Sequence, residues 1–213
     1  METFTKDQVI NTVASMCDII IENEVPFCEL DSAAGDGDFG MSLAKGFKVV
    51  KAEWANHSSD DIGAFLKDCG MIITEQCGGA SGPIWGSAFW AMGKFAQGKE
   101  KLNLVELGDM VQAAIDAIQK RGGAKLGDKT LLDALIPAVE SIRASGAAGE
   151  RFGVALPKGA AAAVQGGENT KLIAATKGRA SYVGDRSINF PDAGATAIGI
   201  IYSSLLKGAT LCD

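Results

Sequence analysis

The sequence predicts an all-α protein, an eight-helix antiparallel up-and-down barrel or bundle. Apolar residues recur every three to four positions in segment after segment. The turns between these segments are mostly short and rich in Gly, Asp and Ser, which favours antiparallel neighbours. No run alternates convincingly as a strand. With 213 residues, 47% of them apolar, the chain is expected to form a single domain over 1–213 with a proper core.

Thr5 and Gln8 form a capping box for the first helix, with Phe4 and Val9 as its hydrophobic staple. Its buried stripe is Val9, Val13, Met16, Cys17, Ile20 and Ile21, and Pro26 is expected to end it. A second helix starts after Gly40, with Leu43, Phe47, Val50 and Trp54 facing inward. Ser59 and the aspartates after it open a third, striped by Ile62, Phe65, Leu66, Cys69, Ile72 and Ile73. In the junction Gly78-Gly-Ala-Ser-Gly-Pro83, Ser81 suits an N-cap and Pro83 the first turn of the helix through Trp85, Phe89, Trp90 and Phe95.

Asn103 and Glu106 give a second capping-box pattern, for a helix carrying Leu107, Met110, Val111, Ala114, Ile115 and Ile118. Lys120-Arg-Gly-Gly123 closes it with cations and glycine. Gly127-Asp-Lys-Thr130 reads as another small polar helix start. The sixth helix carries Leu132, Leu135, Ile136, Val139 and Ile142, and Pro137 is expected to bend it. An alanine-rich seventh runs from about Pro157. Residues 177–191, long and basic, read as a flap. Asp192 then caps an eighth helix through Ile198, Ile201, Tyr202, Leu205 and Leu206.

The net charge of −6 argues against nucleic acid as a partner. The apolar run 193–206 is interrupted and too short to span a bilayer, so no membrane role is expected. Five cysteines without metal or C-x-x-C spacing, and no secretory leader, suggest reduced thiols in the cytoplasm. Cys17, Cys69 and Cys77 read as core residues. The one histidine, His57, lies in a polar loop and reads as a plain surface residue. Any mechanism through a histidine must borrow that group from another protein.

The most informative stretch is Asp31-Ser-Ala-Ala-Gly-Asp36-Gly-Asp38-Phe-Gly40. Three carboxylates this close repel one another, and Mg²⁺ bound with phosphate oxygens would relieve them. A solvated acidic turn is the alternative. Several motifs overlap here and fail. The G-x-G-x-x-G spacing lacks a preceding strand, and the P-loop spacing has Met41 where lysine is needed. Asp38-Phe39-Gly40 has no H-R-D-type loop to accompany it, and an EF-hand from Asp36 would place Phe47 at its essential glutamate. In an alternating array the junctions 25–40, 78–83, 123–130 and 175–192 share one end. An acidic metal loop, small-residue helix starts that suit an oxyanion, and a basic flap are thereby gathered into a metal–nucleotide site at one end of the bundle.

Asp31-x4-Asp36-x-Asp38-x-Gly40, G-G-A-S-G-P at 78–83, G-D-K-T at 127–130 and K-G-R-A-S-Y-x-G at 177–184 together resemble the nucleotide-binding L subunit of bacterial dihydroxyacetone kinases. The match runs the length of the chain. This resemblance implies an eight-helix barrel holding ADP or ATP at one end through two Mg²⁺ ions. It implies Asp31, Asp36 and Asp38 as metal ligands. It places Phe39, Gly40, Met41, Ser42, Ala80, Ser81, Gly122, Thr130, Leu131, Arg179, Asp192, Ala193 and Gly194 around the nucleotide. The implied reaction passes a phosphoryl group from a phosphohistidine protein of the sugar phosphotransferase system, through bound nucleotide, to dihydroxyacetone or a related ketose on a separate K subunit. A homodimer or hetero-oligomer is expected. The alternatives are a regulatory subunit that docks a transcription factor and a paralogue for another ketose such as erythrulose. One departure is Phe39, where family members carry histidine. Phenylalanine offers no donor to a terminal phosphate, so Phe39→His is expected to strengthen triphosphate binding.

Overall fold

The computed structural model describes residues 2–58 and 60–208. The expected helix opener Ser59 and the fifth cysteine, Cys212, lie outside the described residues. Nine α-helices are present among the described residues: α1 (Lys6–Glu22), α2 (Glu24–Ser32), α3 (Phe39–Ala52), α4 (Ile62–Gln76), α5 (Ser81–Phe95), α6 (Leu104–Gly122), α7 (Leu132–Ala147), α8 (Phe152–Asn169) and α9 (Ala193–Lys207). From α3 onward each helix packs on the next, and α9 returns to α1, which itself packs on α3, so the array closes into an all-α barrel. Strands β1 (Phe4–Thr5) and β2 (Lys101–Leu102) pair antiparallel in one short ladder, with Phe4 opposite Leu102.

Both predicted capping boxes form. Thr5 Oγ1 accepts the Gln8 N–H and the Thr5 N–H donates to Gln8 Oε1 at 2.8 Å. Asn103 and Glu106 exchange the same pair of bonds, each at 2.9 Å. Asp192 caps α9 by accepting the Ala195 N–H at 2.7 Å, and Gly123 closes α6 in the left-handed conformation.

Several boundaries differ from the sequence expectation. The chain leaves α1 at Asn23, whose side chain bonds back to the Ile19 carbonyl at 2.7 Å. Pro26 then falls in the first turn of α2, where a missing N–H costs nothing. The segment expected to end one helix therefore starts another, which raises eight helices to nine. Asp61, which accepts the Ala64 N–H at 2.8 Å, caps α4. Ser81 is the first helical residue of α5 and not its cap, which is Ala80 with no side-chain bond. α8 begins at Phe152, five residues before Pro157, and Pro157 and Gly153 both face solvent. α7 continues through Pro137 without a break.

α3 stops at Ala52, leaving Trp54 in a short 3₁₀ turn. His57 is half-buried rather than a plain surface residue. Its Nε2 lies 2.9 Å from the Val50 carbonyl, and its ring meets Trp54 and Phe65 edge-on.

The inward stripes form one continuous core that includes Cys17, Cys69 and Cys77. Inside the barrel they surround an apolar cavity of about 200 Å³ whose walls include Val13, Leu66, Trp85, Met110, Leu135 and Ile198. α2 and α3 cross at touching distance: a Cβ on Gly40 would lie 1.9 Å from the Glu24 carbonyl oxygen. No described helix is long and apolar enough to cross a membrane.

Candidate functional site

The acidic loop is the hairpin between α2 and α3, folded around the carboxylate of Asp31 in the last turn of α2. Asp31 Oδ2 accepts the Gly37 N–H at 2.9 Å, and its carbonyl accepts the Gly35 N–H at 2.6 Å. Gly37 has φ +75°, a conformation few other residues adopt cheaply. This turn brings one carboxylate oxygen each from Asp31, Asp36 and Asp38 within 4.8 Å of one another. Burial raises the Asp31 carboxyl above the usual range; the N–H groups of Gly37 and Phe39 oppose that, and nearby Asp36 adds to it. The donor set is all hard oxygen, which suits a Mg²⁺ ion.

Arg179 reaches over this loop. Its Nη1 lies 2.5 Å from Asp36 Oδ2 and its Nη2 3.9 Å from Asp38 Oδ2. With the Arg179 side chain 60% exposed, the pairing contributes little to stability, and its interest is positional.

The other predicted junctions gather at this end. The Gly78 N–H donates to the Ser42 carbonyl at 3.1 Å, tying the small-residue turn before α5 to the first turn of α3. Gly40 is buried in the α2–α3 crossing. Met41 is exposed, and its N–H donates to Cys28 Sγ at 3.3 Å. Ala80 is exposed and Ser81 half-buried at the head of α5. Gly122, at the end of α6, sits beside Ile84 of α5: a Cβ there would lie 3.0 Å from the Ile84 Cδ1.

Between α6 and α7, Asp133 accepts the N–H groups of Gly127 and Thr130, each at 2.7 Å. Leu131 lies against Gly194 at the start of α9, where the Ala193 residue is buried. Burial pushes the Asp192 carboxyl up to about 7. The Ala195 N–H and the Lys129 ammonium pull it down, while Asp133 and Asp31 push it further up. The start of α9 therefore stands within electrostatic reach of the acidic loop.

One predicted residue turns away from this cluster. The Phe39 ring packs against the core beside Phe27. The expected flap is likewise no free loop. Residues 179–187 form 3₁₀ turns interrupted at Gly184, fastened at both ends from below.

The fastening residues were not singled out in the sequence. Asp128 accepts the Lys125 N–H at 2.9 Å and the Thr176 hydroxyl at 2.8 Å. The Lys129 ammonium donates to the carbonyls of Thr170 (2.8 Å), Ile173 (3.1 Å), Ser187 (2.7 Å) and Phe190 (2.7 Å). Both belong to the G-D-K-T run, which the sequence offered as a small polar helix start and a motif of the family resemblance, with no sign of the fastening role.

The DAK2 domain pattern matches residues 33–207, from the acidic loop after α2 through α9; β1, α1 and α2, with Asp31 in the last turn of α2, precede the matched stretch. The chain belongs to the DAK2 domain family. It is 34% identical over 207 residues to the ADP-binding subunit DhaL of the PEP-dependent dihydroxyacetone kinase of Escherichia coli, covering 97% of this chain and 99% of that one. It is 32% identical over 205 residues to the corresponding DhaL subunit of kinase 1 of Listeria innocua, covering 96% and 98%. Among solved structures, the dihydroxyacetone kinase from C. freundii in complex with AMP-PNP and Mg²⁺ superposes with a TM-score of 0.74 at 25% identity. That similarity covers 94% of this DAK2 domain but only 33% of the larger kinase chain.

Proposed function

We propose that this chain is the ADP-binding subunit of a dihydroxyacetone kinase of the phosphotransferase-system type. The observation that carries the reading is the cluster of three carboxylates, with oxygens within 4.8 Å, at the barrel end where α3, α5 and α9 begin. Helix N-termini present unpaired N–H groups to anions, and the aspartates supply hard ligands for the cation that accompanies nucleotide phosphates.

In this reading Asp31, Asp36 and Asp38 hold two Mg²⁺ ions. The backbone around 39–42, 80–81 and 192–194 contacts the phosphates. Gly122, Thr130 and Leu131 line the rest of the nucleotide, and Arg179 closes over it. The cations supply charge neutralisation and in-line alignment of the phosphoryl group. The chain's own part is to hold the nucleotide in place and exclude water around it.

The chain's single histidine supports a division of labour. His57 follows α3 at the end remote from the acidic loop, and fourteen helical residues span roughly 21 Å. It is engaged with Val50 and two aromatic rings. In this reading the donor phosphohistidine belongs to a phosphotransferase-system protein, and the ketose is held by a K-type subunit. Mixing the purified chain with such a K subunit, the phosphohistidine donor, ADP and Mg²⁺ tests the reading. Dihydroxyacetone phosphate is expected only from the complete mixture. Equal turnover with this chain omitted overturns it.

A further inference from the structure

We propose that Lys129 is a positioning residue: its ammonium is a tethered equivalent of a monovalent cation, and the carbonyl cage it fills holds the 170–191 strap, and with it Arg179, over the acidic loop. Lys129 is only 2% exposed, although nothing about apolar surroundings favours a lysine there. Its four oxygen partners come from the two ends of the strap. Thr170 and Ile173 follow α8, while Ser187 and Phe190 precede α9. An ammonium has three N–H groups, so four carbonyls at 2.7–3.1 Å make a mixed hydrogen-bonding and ion–dipole cage of the kind that holds a potassium or ammonium ion.

The backbone is bent to serve this purpose. Lys129 has φ +62°, a left-handed conformation that costs a side-chain-bearing residue on the order of 1 kcal/mol. The strain turns the side chain beneath the strap instead of out to solvent. Among the described residues no carboxylate bonds to the ammonium. Asp133 and Asp192 act on it only at longer range, opposing the burial that lowers its pKa.

Three other bonds seat the same segment. The Asn189 N–H donates to the Lys171 carbonyl at 2.8 Å, the Ala175 N–H to Ser187 Oγ at 2.9 Å, and the Asp192 N–H to Thr170 Oγ1 at 2.8 Å. These fix the strap's edges. Each joins one end of the strap to the other through a single bond, whereas Lys129 gathers two carbonyls from each end around one ammonium. Without the cation, the Thr170 and Ser187 carbonyls keep only the N–H groups of Ile173 (3.2 Å) and Phe190 (3.4 Å), the Ile173 and Phe190 carbonyls lose the ammonium, and the strap is expected to loosen.

The test compares Lys129→Ala with the parent by two readouts: tryptic cleavage of the nucleotide-free protein within the strap, after Lys177, Arg179 or Arg186, and Mg²⁺-ADP affinity by calorimetry. The second readout rests on the reading of the acidic loop as a nucleotide site; the first does not. Helix content is expected to be retained, with cleavage in the strap at least tenfold faster and Mg²⁺-ADP binding at least tenfold weaker. Added n-propylammonium, which replaces the deleted carbons and charge, is expected to restore both. Tetramethylammonium, which has no N–H, is expected to restore neither. Unchanged strap cleavage overturns the proposal, as does cleavage that rises evenly over the whole chain and resists n-propylammonium. If Lys129→Ala loses its helices, Lys129→Met keeps the volume and is read the same way. Faster cleavage confined to the strap then supports the pin, and unchanged cleavage overturns it. A parent that binds no Mg²⁺-ADP removes only the functional reading and leaves the cleavage result to decide.

Discussion

The ring of Phe39 lies against that of Phe27, with centroids 6.0 Å apart and planes tilted by 39°. The side chain at the entrance to α3 is therefore a core contact, while its backbone N–H serves the Asp31 carboxylate. A histidine in the same rotamer would present its nitrogens to Phe27 and not to a phosphate. Phe39→His is thus expected to lower stability by about 1–2 kcal/mol through lost apolar burial. The ratio of ADP to non-hydrolysable ATP affinities is expected to stay unchanged, against the sequence-based expectation of a gain for the triphosphate. Denaturant melts and paired calorimetric titrations check both parts.

Asp36→Ala and Asp38→Ala are expected to abolish Mg²⁺-dependent ADP binding while leaving the thermal midpoint of the free protein level or slightly higher. The lost ion pair with Arg179 is exposed and weak, and removing one carboxylate relieves repulsion among the others. Calorimetry with and without Mg²⁺, beside a thermal melt, is the measurement. Normal Mg²⁺-ADP affinity in either variant would show that these aspartates are not ligands.

The pH dependence of the free protein follows from Asp192. Its folded pKa of about 7 lies above the ordinary 3.8, so between those values the folded state holds a proton that the unfolded chain lacks. Asp31 is shifted in the same direction. Stability is therefore expected to rise as the pH is lowered from 8 to about 5. Below about 4 it is expected to fall, as Asp61, Glu106 and Asp128, held low by their N–H and cationic partners, become protonated. Asp192→Asn keeps a capping acceptor and is expected to flatten the limb between pH 5 and 8. Melts in EDTA across this range read the slope directly.

Gly40→Ala forces a methyl group onto the Glu24 carbonyl oxygen and the Cys28 backbone nitrogen, 1.9 and 2.8 Å from the ideal Cβ position. Overpacking at a backbone crossing is expected to cost about 1–3 kcal/mol. It is also expected to weaken Mg²⁺-ADP binding, because the carboxylates on either side of the crossing shift apart. A denaturant titration and a calorimetric titration on the same sample test the two effects together.

How much of this could be read from the chain depended on how local the cause was. Thr5 with Gln8, Asn103 with Glu106, and Asp192 announce their helices because a cap is satisfied within three residues. The acidic loop was legible for the same reason, its three aspartates falling within eight positions. Pro26 and Pro157 misled because a proline marks either a stop or a tolerated early or solvent-facing position, and tertiary packing chooses between them. Lys129 was illegible as a pin. Its partners lie 41 to 61 positions away, and they are carbonyls, which every residue carries. Phe39 was read for the donor it lacks, whereas the ring's destination is decided by Phe27 on another helix.

The contact between α2 and α3 at Gly40 has a kinetic consequence. Backbones this close cannot shift without breaking the hairpin, so the wall that carries Asp31 and Asp38 is expected to be the rigid one. The facing wall is a strap bonded at its two ends and held between them by the exposed ion pairs of Arg179 with Asp36 and Asp38. If nucleotide binds between them as proposed, it is expected to leave by way of the strap, with residence time set by residues 170–191 and grip by the carboxylates.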